Sequence, residues 1–87
     1  MRTSEKDLQN IVDRINVITN SPRKAYENNE AKIGNYCLYF AYGGVALHRI
    51  TNSGGGIREI ISMGTKKELY GKLQSFLNGI QAGKEVV

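Results

Sequence analysis

Apolar residues recur at spacings of three and four residues near both ends of the chain, which predicts two amphipathic helices. The first stripe consists of Leu8, Ile11, Val12, Ile15 and Ile18. The second stripe consists of Leu69, Leu73, Phe76, Leu77 and Ile80. Ser4 precedes the first stripe as a good capping residue, and Thr65 with Glu68 fits a capping box before the second. We therefore expect helices over residues 4–19 and 65–80.

Three β-prone segments, residues 36–42, 45–51 and 57–63, lie between the two stripes. Gly43-Gly44 separates the first two, and a glycine pair between such segments predicts a two-residue hairpin turn. Gly54-Gly55-Gly56 then turns the chain into the third strand. We expect a three-stranded antiparallel meander.

The predicted turn sets the register of the hairpin and its two faces. Phe40 should oppose Leu47, and Cys37 should oppose Ile50. The expected core face carries Tyr36, Leu38, Phe40, Tyr42, Val45 and Leu47, together with Arg49. The opposite face carries Cys37, Tyr39, Ala41, Ala46, His48 and Ile50. A side chain alternates between faces along a strand, so this register decides which residues are buried.

The element order α-β-β-β-α predicts a single α+β domain over residues 1–87, with both helices packed on one sheet face. Residues 23–35 are polar and read as a loop, with a short strand near Ile33. Gly71 indicates close packing within the second helix, and Gly79 or Gly83 can end it. The open second face of the sheet favours a homo-oligomer.

Composition narrows the class of protein. The chain has 87 residues, of which 40% are hydrophobic and 23% charged, so it is neither disordered nor membrane-like. No apolar segment is long enough for a membrane span, and the first residues lack the apolar stretch of a signal peptide. We expect a protein of the reducing cytosol. A net charge of +4 favours a polyanionic partner.

Catalysis and metal binding have few candidate residues. Cys37 is the single cysteine and His48 the single histidine, so a disulfide framework and a cysteine zinc site are excluded within one chain. No third group is suggested that would orient a thiol–imidazole pair. We expect no catalysis, no metal and no cofactor.

Anion binding has more candidates. The glycine turn can expose N–H groups, and the basic start of the second helix is a potential phosphate site. Tyrosine rings offer faces for nucleobases. The candidate ligand-binding residues are Tyr42, Arg49, Gly54, Gly55, Gly56, Arg58, Thr65, Lys66 and Lys67. The turn and the helix start lie about 20 Å apart along the third strand, so one ligand would need a second subunit to contact both.

Two resemblances follow from these residues. The element order and the sequence Gly64-Thr65-Lys66-Lys67 resemble a double-stranded RNA-binding domain, in which lysines at this helix start bind phosphates. The tight first hairpin departs from that family, which uses a longer loop there to reach the minor groove. Leu69 and Tyr70 replace the small residues expected after the lysines.

The pattern over roughly residues 35–80 resembles small bacteriophage accessory proteins. It comprises Asn35-Tyr36, Leu38, Ala41-Tyr42-Gly43-Gly44, Leu47, Arg49, Gly55-Gly56, Arg58 and the segment from Gly64 to Tyr70. Some proteins of this kind are anti-defence sponges that sequester nucleotide signals of CBASS or Thoeris immunity. The resemblance implies a non-enzymatic protein that binds a cyclic or related nucleotide at a subunit interface. Two alternatives stay open, a double-stranded RNA binder and a protein–protein inhibitor of a host factor.

Overall fold

A computed structural model describes the backbone of residues 3–86 and the side chains of residues 3–83. The elements are α1 (Glu5–Ile18), β1 (Tyr26–Glu27), β2 (Glu30–Ala31), β3 (Tyr36–Ala41), β4 (Gly44–Ile50), β5 (Ile57–Gly64) and α2 (Lys66–Val86). β3, β4 and β5 form an antiparallel sheet in that order, and β1 pairs with β2 separately. The predicted α+β architecture is confirmed. The β1–β2 hairpin lies inside the predicted loop, where two-residue strands leave no periodicity to detect.

Both helix starts follow the predicted capping chemistry. The Ser4 hydroxyl accepts a hydrogen bond from the Asp7 N–H at 3.2 Å, and the Ser4 N–H donates to the Asp7 carboxylate at 2.9 Å. The end of α2 was predicted too early, because the helix continues through Gly79 and Gly83 to Val86. A glycine inside a helix costs only about 1 kcal/mol relative to alanine and does not by itself end it.

The two helices pack against each other and cover one face of the sheet, α1 over β3 and α2 over β4 and β5. The buried cluster between these layers comprises Leu8, Ile11, Val12, Ile15, Tyr36, Val45, Leu47, Leu69, Leu73 and Leu77. Most residues of both helical stripes are therefore buried, and Ile18, Phe76 and Ile80 pack against the cluster while remaining partly exposed. The close packing predicted at Gly71 is not observed, because a Cβ placed there would meet no atom within 4 Å.

The β3–β4 hairpin turns one residue earlier than predicted. Its central residues are Tyr42 and Gly43, with φ of 52° and 75°, the positive values that a type I′ turn requires. Gly44 instead begins β4, where a Cβ would lie 2.8 Å from the Met63 side chain and 3.1 Å from the Gly64 carbonyl oxygen. The glycine pair thus has two causes, a turn and a close approach of strands.

The earlier turn shifts the pairing by two residues and leaves the face of each side chain unchanged. Phe40 opposes Val45 rather than Leu47, and Cys37 opposes His48 rather than Ile50. Phe40 is 44% exposed and Tyr42 fully exposed, so both were wrongly assigned to the core. The described helices include none that is long and apolar enough to cross a bilayer.

The second sheet face is less open than predicted. Ala46, His48 and Ile50 on β4 are all buried, although no helix covers them. The Tyr39 ring stacks on the His48 ring with centroids 4.8 Å apart. The segment before β3 adjoins Ile50, whose N–H and carbonyl bond to Asn35 and Gly34. Large neighbouring side chains and this segment therefore bury the middle of the face.

Candidate anion-binding site

Tyr36, at the start of β3, is fixed by a buried hydrogen-bonded contact with α1. The Asn16 amide donates to the Tyr36 carbonyl at 3.0 Å and accepts from the Tyr36 N–H at 2.8 Å. Asn16 is only 1% exposed, so both main-chain groups of Tyr36 depend on it rather than on water. The Tyr36 ring packs edge-on against Phe76 of α2. One tyrosine thus joins the sheet to both helices.

Arg49 lies on this fixed ring. Its guanidinium carbon is 4.8 Å from the centre of the Tyr36 ring, and its Nε donates to the Gly34 carbonyl at 3.2 Å. Arg49 lies on the predicted face of the sheet, but its side chain is exposed and does not enter the core as expected. Arg49 opposes Tyr36, the first residue of β3, and so lies at the end of the paired strands.

Arg58 stands directly opposite Arg49 across the β4–β5 pair. Like charges in directly opposed positions repel each other. Among the described side chains, the close contacts between a basic group and a carboxylate are His48–Glu59 and Lys66–Glu5, so neither arginine has a carboxylate partner. Glu59, the nearest acidic residue in sequence, points to the other face, where it opposes His48. Two exposed arginine side chains therefore lie side by side without a carboxylate partner among the described residues.

The two arginines line a small cleft at this end of the sheet, which we call the arginine cleft. Its other lining residues are Ile33, Gly34, Ile50, Thr51 and Ile60, and its volume is about 260 Å³. The walls combine apolar side chains with two guanidinium groups. This combination suits a ligand that carries both a charged anionic group and an apolar or aromatic part.

The glycine turn has its amides already bonded within the chain. The Asn52 side-chain oxygen accepts from the Gly54 N–H at 3.0 Å and the Gly56 N–H at 2.9 Å. The Gly55 N–H donates to the Asn52 carbonyl at 3.2 Å. Gly55 has a φ of 95°, and a Cβ at Gly56 would collide with Asn52. The glycines serve the turn, and the expected exposed phosphate loop finds no support.

The start of α2 is likewise occupied, in this case by a carboxylate of the chain itself. The Glu68 carboxylate accepts from the Thr65 N–H at 2.9 Å, and the Glu68 N–H donates to the Thr65 hydroxyl at 3.1 Å. These hydrogen bonds hold the pKa of Glu68 below its ordinary value. Lys66 Nζ lies 3.5 Å from Glu5 Oε2 at the start of α1. The helix start is thus capped and partly neutralised internally.

Tyr42 and Lys67 lie away from the arginine cleft. Tyr42 borders a depression of about 250 Å³ with Gly64 and Thr65 at the opposite end of the sheet. Five residues of β4 separate the two ends, or about 17 Å.

Lys67 borders a groove of about 900 Å³ between α2 and β5, which we call the α2–β5 groove. That groove is lined by Ile60, Ile61, Ser62, Lys67, Glu68, Gly71, Lys72, Ser75 and Phe76.

Cys37 and His48 are direct neighbours across β3 and β4. Burial raises the pKa of the Cys37 thiol, which disfavours the nucleophilic thiolate. His48 is buried although its face of the sheet was expected to be open, and its Nε2 lies 3.9 Å from Glu59 Oε2. Among the described residues, no group of three metal-ligating side chains occurs.

Sequence reasoning missed the supports of the arginine cleft. Asn16 is the clearest case, because it follows Leu8 and Val12 at four-residue spacing and places a polar group on an apolar stripe. A polar residue in that position signals a buried hydrogen bond. Ile33 and Gly34 carried no comparable signal, since they reach the cleft only through the fold of residues 23–35.

Comparison with protein-family models, with curated proteins and with solved structures finds no match for this chain.

Proposed function

We propose that this chain is a non-enzymatic protein that binds a phosphate-bearing nucleotide at the arginine cleft and thereby sequesters it. The observation that carries the proposal is the direct opposition of Arg49 and Arg58 without an acidic partner among the described residues. A phosphate group between them removes their repulsion and accepts charge-assisted hydrogen bonds from both guanidinium groups. Ile33 and Ile60 supply apolar walls for the sugar or base.

A second copy of the chain completes this site in the proposal. The cleft, at about 260 Å³, is smaller than the roughly 300–1,000 Å³ of ordinary ligand sites. Two copies meeting at their arginine clefts repel each other until an anion lies between them. Association should therefore increase when the ligand is added, and sedimentation with and without ligand measures this.

The biological setting in the proposal comes from the resemblance to small bacteriophage accessory proteins. A sponge needs tight binding and no reacting group, and a site built from two arginines beside apolar walls suits that task. Under this proposal the protein acts in the host cytoplasm, where it withholds a cyclic or related nucleotide signal from a defence system. The raised pKa of Cys37 agrees with a role that does not involve catalysis.

Native mass spectrometry with cyclic and linear nucleotides and a short RNA duplex tests this function. We expect a nucleotide to bind the wild-type protein and the Arg14→Ala variant, whose exposed arginine lies on α1, away from the cleft. Arg58→Ala should lose most of that binding. Binding of the duplex with a steep salt dependence would instead favour a nucleic-acid binder. Binding of neither class, or nucleotide binding unchanged in Arg58→Ala, contradicts the proposal.

A further inference from the structure

The α2–β5 groove is a second surface, separate from the nucleotide proposal. Its floor is formed by Ile60, Ile61 and Phe76, which pack against the core while remaining partly exposed. Ile60 is the single residue that also lines the arginine cleft. At about 900 Å³ the groove is larger than the cleft, and it is broadly open. An open groove of this size suits an extended peptide segment better than a small molecule that needs an enclosed pocket.

β5 gives this groove a hydrogen-bonding edge. The strand is eight residues long and lies at the edge of the sheet, where it pairs only with β4 in the described part of the chain. Outward N–H and carbonyl groups of an edge strand can pair with an added strand from another protein. An extended peptide along β5 would direct alternate side chains toward the groove floor.

The charges on the rim decide which partner fits. Lys67 and Lys72 border the groove, and neither forms an ion pair among the described side chains. Glu68 also borders it; hydrogen bonds with Thr65 hold its carboxylate at the helix start, and the charge of Lys72 helps to lower its pKa, so the rim keeps a net positive charge that Glu68 only partly offsets. Two-fold pairing of β5 with a second copy would bring two basic rims together, and such like-charge contact disfavours that occupant. An acidic partner complements the rim.

Gly71 keeps the groove open. It lies on α2 among the lining residues, and a Cβ at this position would meet no atom within 4 Å. Glycine there makes the helix less stable than almost any other residue would, by about 1 kcal/mol against alanine. Within the described chain no side chain fills this space beside the groove.

We propose that the α2–β5 groove binds an extended segment of another protein, in which apolar residues alternate and acidic residues lie next to Lys67 and Lys72. The segment adds to the sheet as a strand alongside β5. Its apolar side chains cover Ile60, Ile61 and Phe76, and one of them occupies the space left by Gly71.

A displayed library of random peptides, selected against the full-length chain, tests this surface. Enriched peptides should combine alternating apolar residues with acidic ones. Gly71→Leu fills the groove and should lower the affinity for an enriched peptide at least about tenfold, while raising helix propensity. Gly79→Leu is the matched control, because Gly79 also has free space around its Cβ position and does not line the groove; its affinity should equal the wild type's.

Charge reversal adds a readout that a folding defect cannot imitate. Lys67→Glu combined with Lys72→Glu should change the enriched peptides from acidic to basic. Absence of enrichment, equal affinity in Gly71→Leu, or enrichment that ignores the charge reversal overturns the proposal. Self-association that Gly71→Leu abolishes also overturns it, in favour of a second copy. Nucleotide binding by Gly71→Leu, measured in parallel, should match the wild type and so separates this surface from the arginine cleft.

Discussion

The arginine cleft and the start of α2 are both basic regions at ends of the same sheet, yet they differ in how their polar groups are used. At the helix start, Thr65 and Glu68 bond to each other and Lys66 lies near Glu5. At the cleft, Arg49 and Arg58 face each other without an acidic partner among the described residues. The proposed ligand site is therefore the basic region whose charges lack a carboxylate partner among the described residues.

The glycine turn belongs with the helix start in this comparison. Asn52 accepts hydrogen bonds from two of its amides, so the turn is complete without a ligand. The three regions have similar sequence signals, namely glycines, hydroxyls and positive charge. Only the hydrogen bonds and ion pairs of the structure distinguish the cleft from the helix start and the glycine turn.

The largest effect should come from the support of the cleft. Asn16→Ala removes the partner of both main-chain groups of Tyr36 and leaves them buried, which should lower the free energy of unfolding by about 2–4 kcal/mol. Urea denaturation measures the change. Asn10→Ala, an exposed position on the same helix, is the control and should change stability little. A small loss in Asn16→Ala would mean that Tyr36 is held by packing alone.

The next effect concerns the cleft itself. Arg58→Ala should weaken nucleotide binding by about 1.5–3 kcal/mol, or at least about tenfold in Kd, because it removes charge-assisted hydrogen bonds. Without ligand the same variant should be slightly more stable than the wild type, since the repulsion with Arg49 is gone. Calorimetric titration and thermal unfolding measure the two quantities. A loss of both stability and binding would make Arg58 a structural residue instead.

Arg49→Lys separates charge from geometry at the same site. Lysine keeps the positive charge but not the planar fork that stacks on Tyr36 and matches a phosphate. Affinity should fall toward that of an alanine variant. Equal affinity of Arg49→Lys and the wild type would show that only the net charge of the cleft matters.

The fold was predictable to the level of helices, strands and their order, because apolar periodicity and capping residues are local signals. The hairpin register was not, since Gly43-Gly44 serves a turn at one residue and a close contact with Met63 at the other. At the candidate site, Arg49 and Arg58 were identified by residue type. Their direct opposition depends on the β4–β5 register, which contains irregularities that no local pattern indicates.

A smaller effect should come from the glycine turn. Asn52→Ala removes two hydrogen bonds to exposed amides, which water can replace, so the free energy of unfolding should fall by about 1 kcal/mol. Nucleotide affinity should not change. Ser53→Ala, in the same turn, is the control. A marked change of affinity in Asn52→Ala would bring the glycine turn back into the binding site and weaken the contrast with the cleft.

The smallest effect is the pH dependence of the helix start. Hydrogen bonds from Thr65 lower the pKa of Glu68 in the folded chain below 4.5, the ordinary value for this group. The resulting stabilisation is fully present above the unfolded pKa and is lost as the pH falls through the lower folded pKa. Glu68→Gln keeps an acceptor for the Thr65 N–H but does not titrate. The stability difference between wild type and Glu68→Gln should therefore be constant near neutral pH and shrink below about pH 4.5. Asp7 titrates similarly at the start of α1 and cancels in this difference.

Added phosphate at neutral pH should leave the stability difference between wild type and Glu68→Gln unchanged, because the carboxylate already occupies the helix start. A phosphate-dependent difference would show that this end of the sheet also binds anions, and that the two basic regions are alike after all.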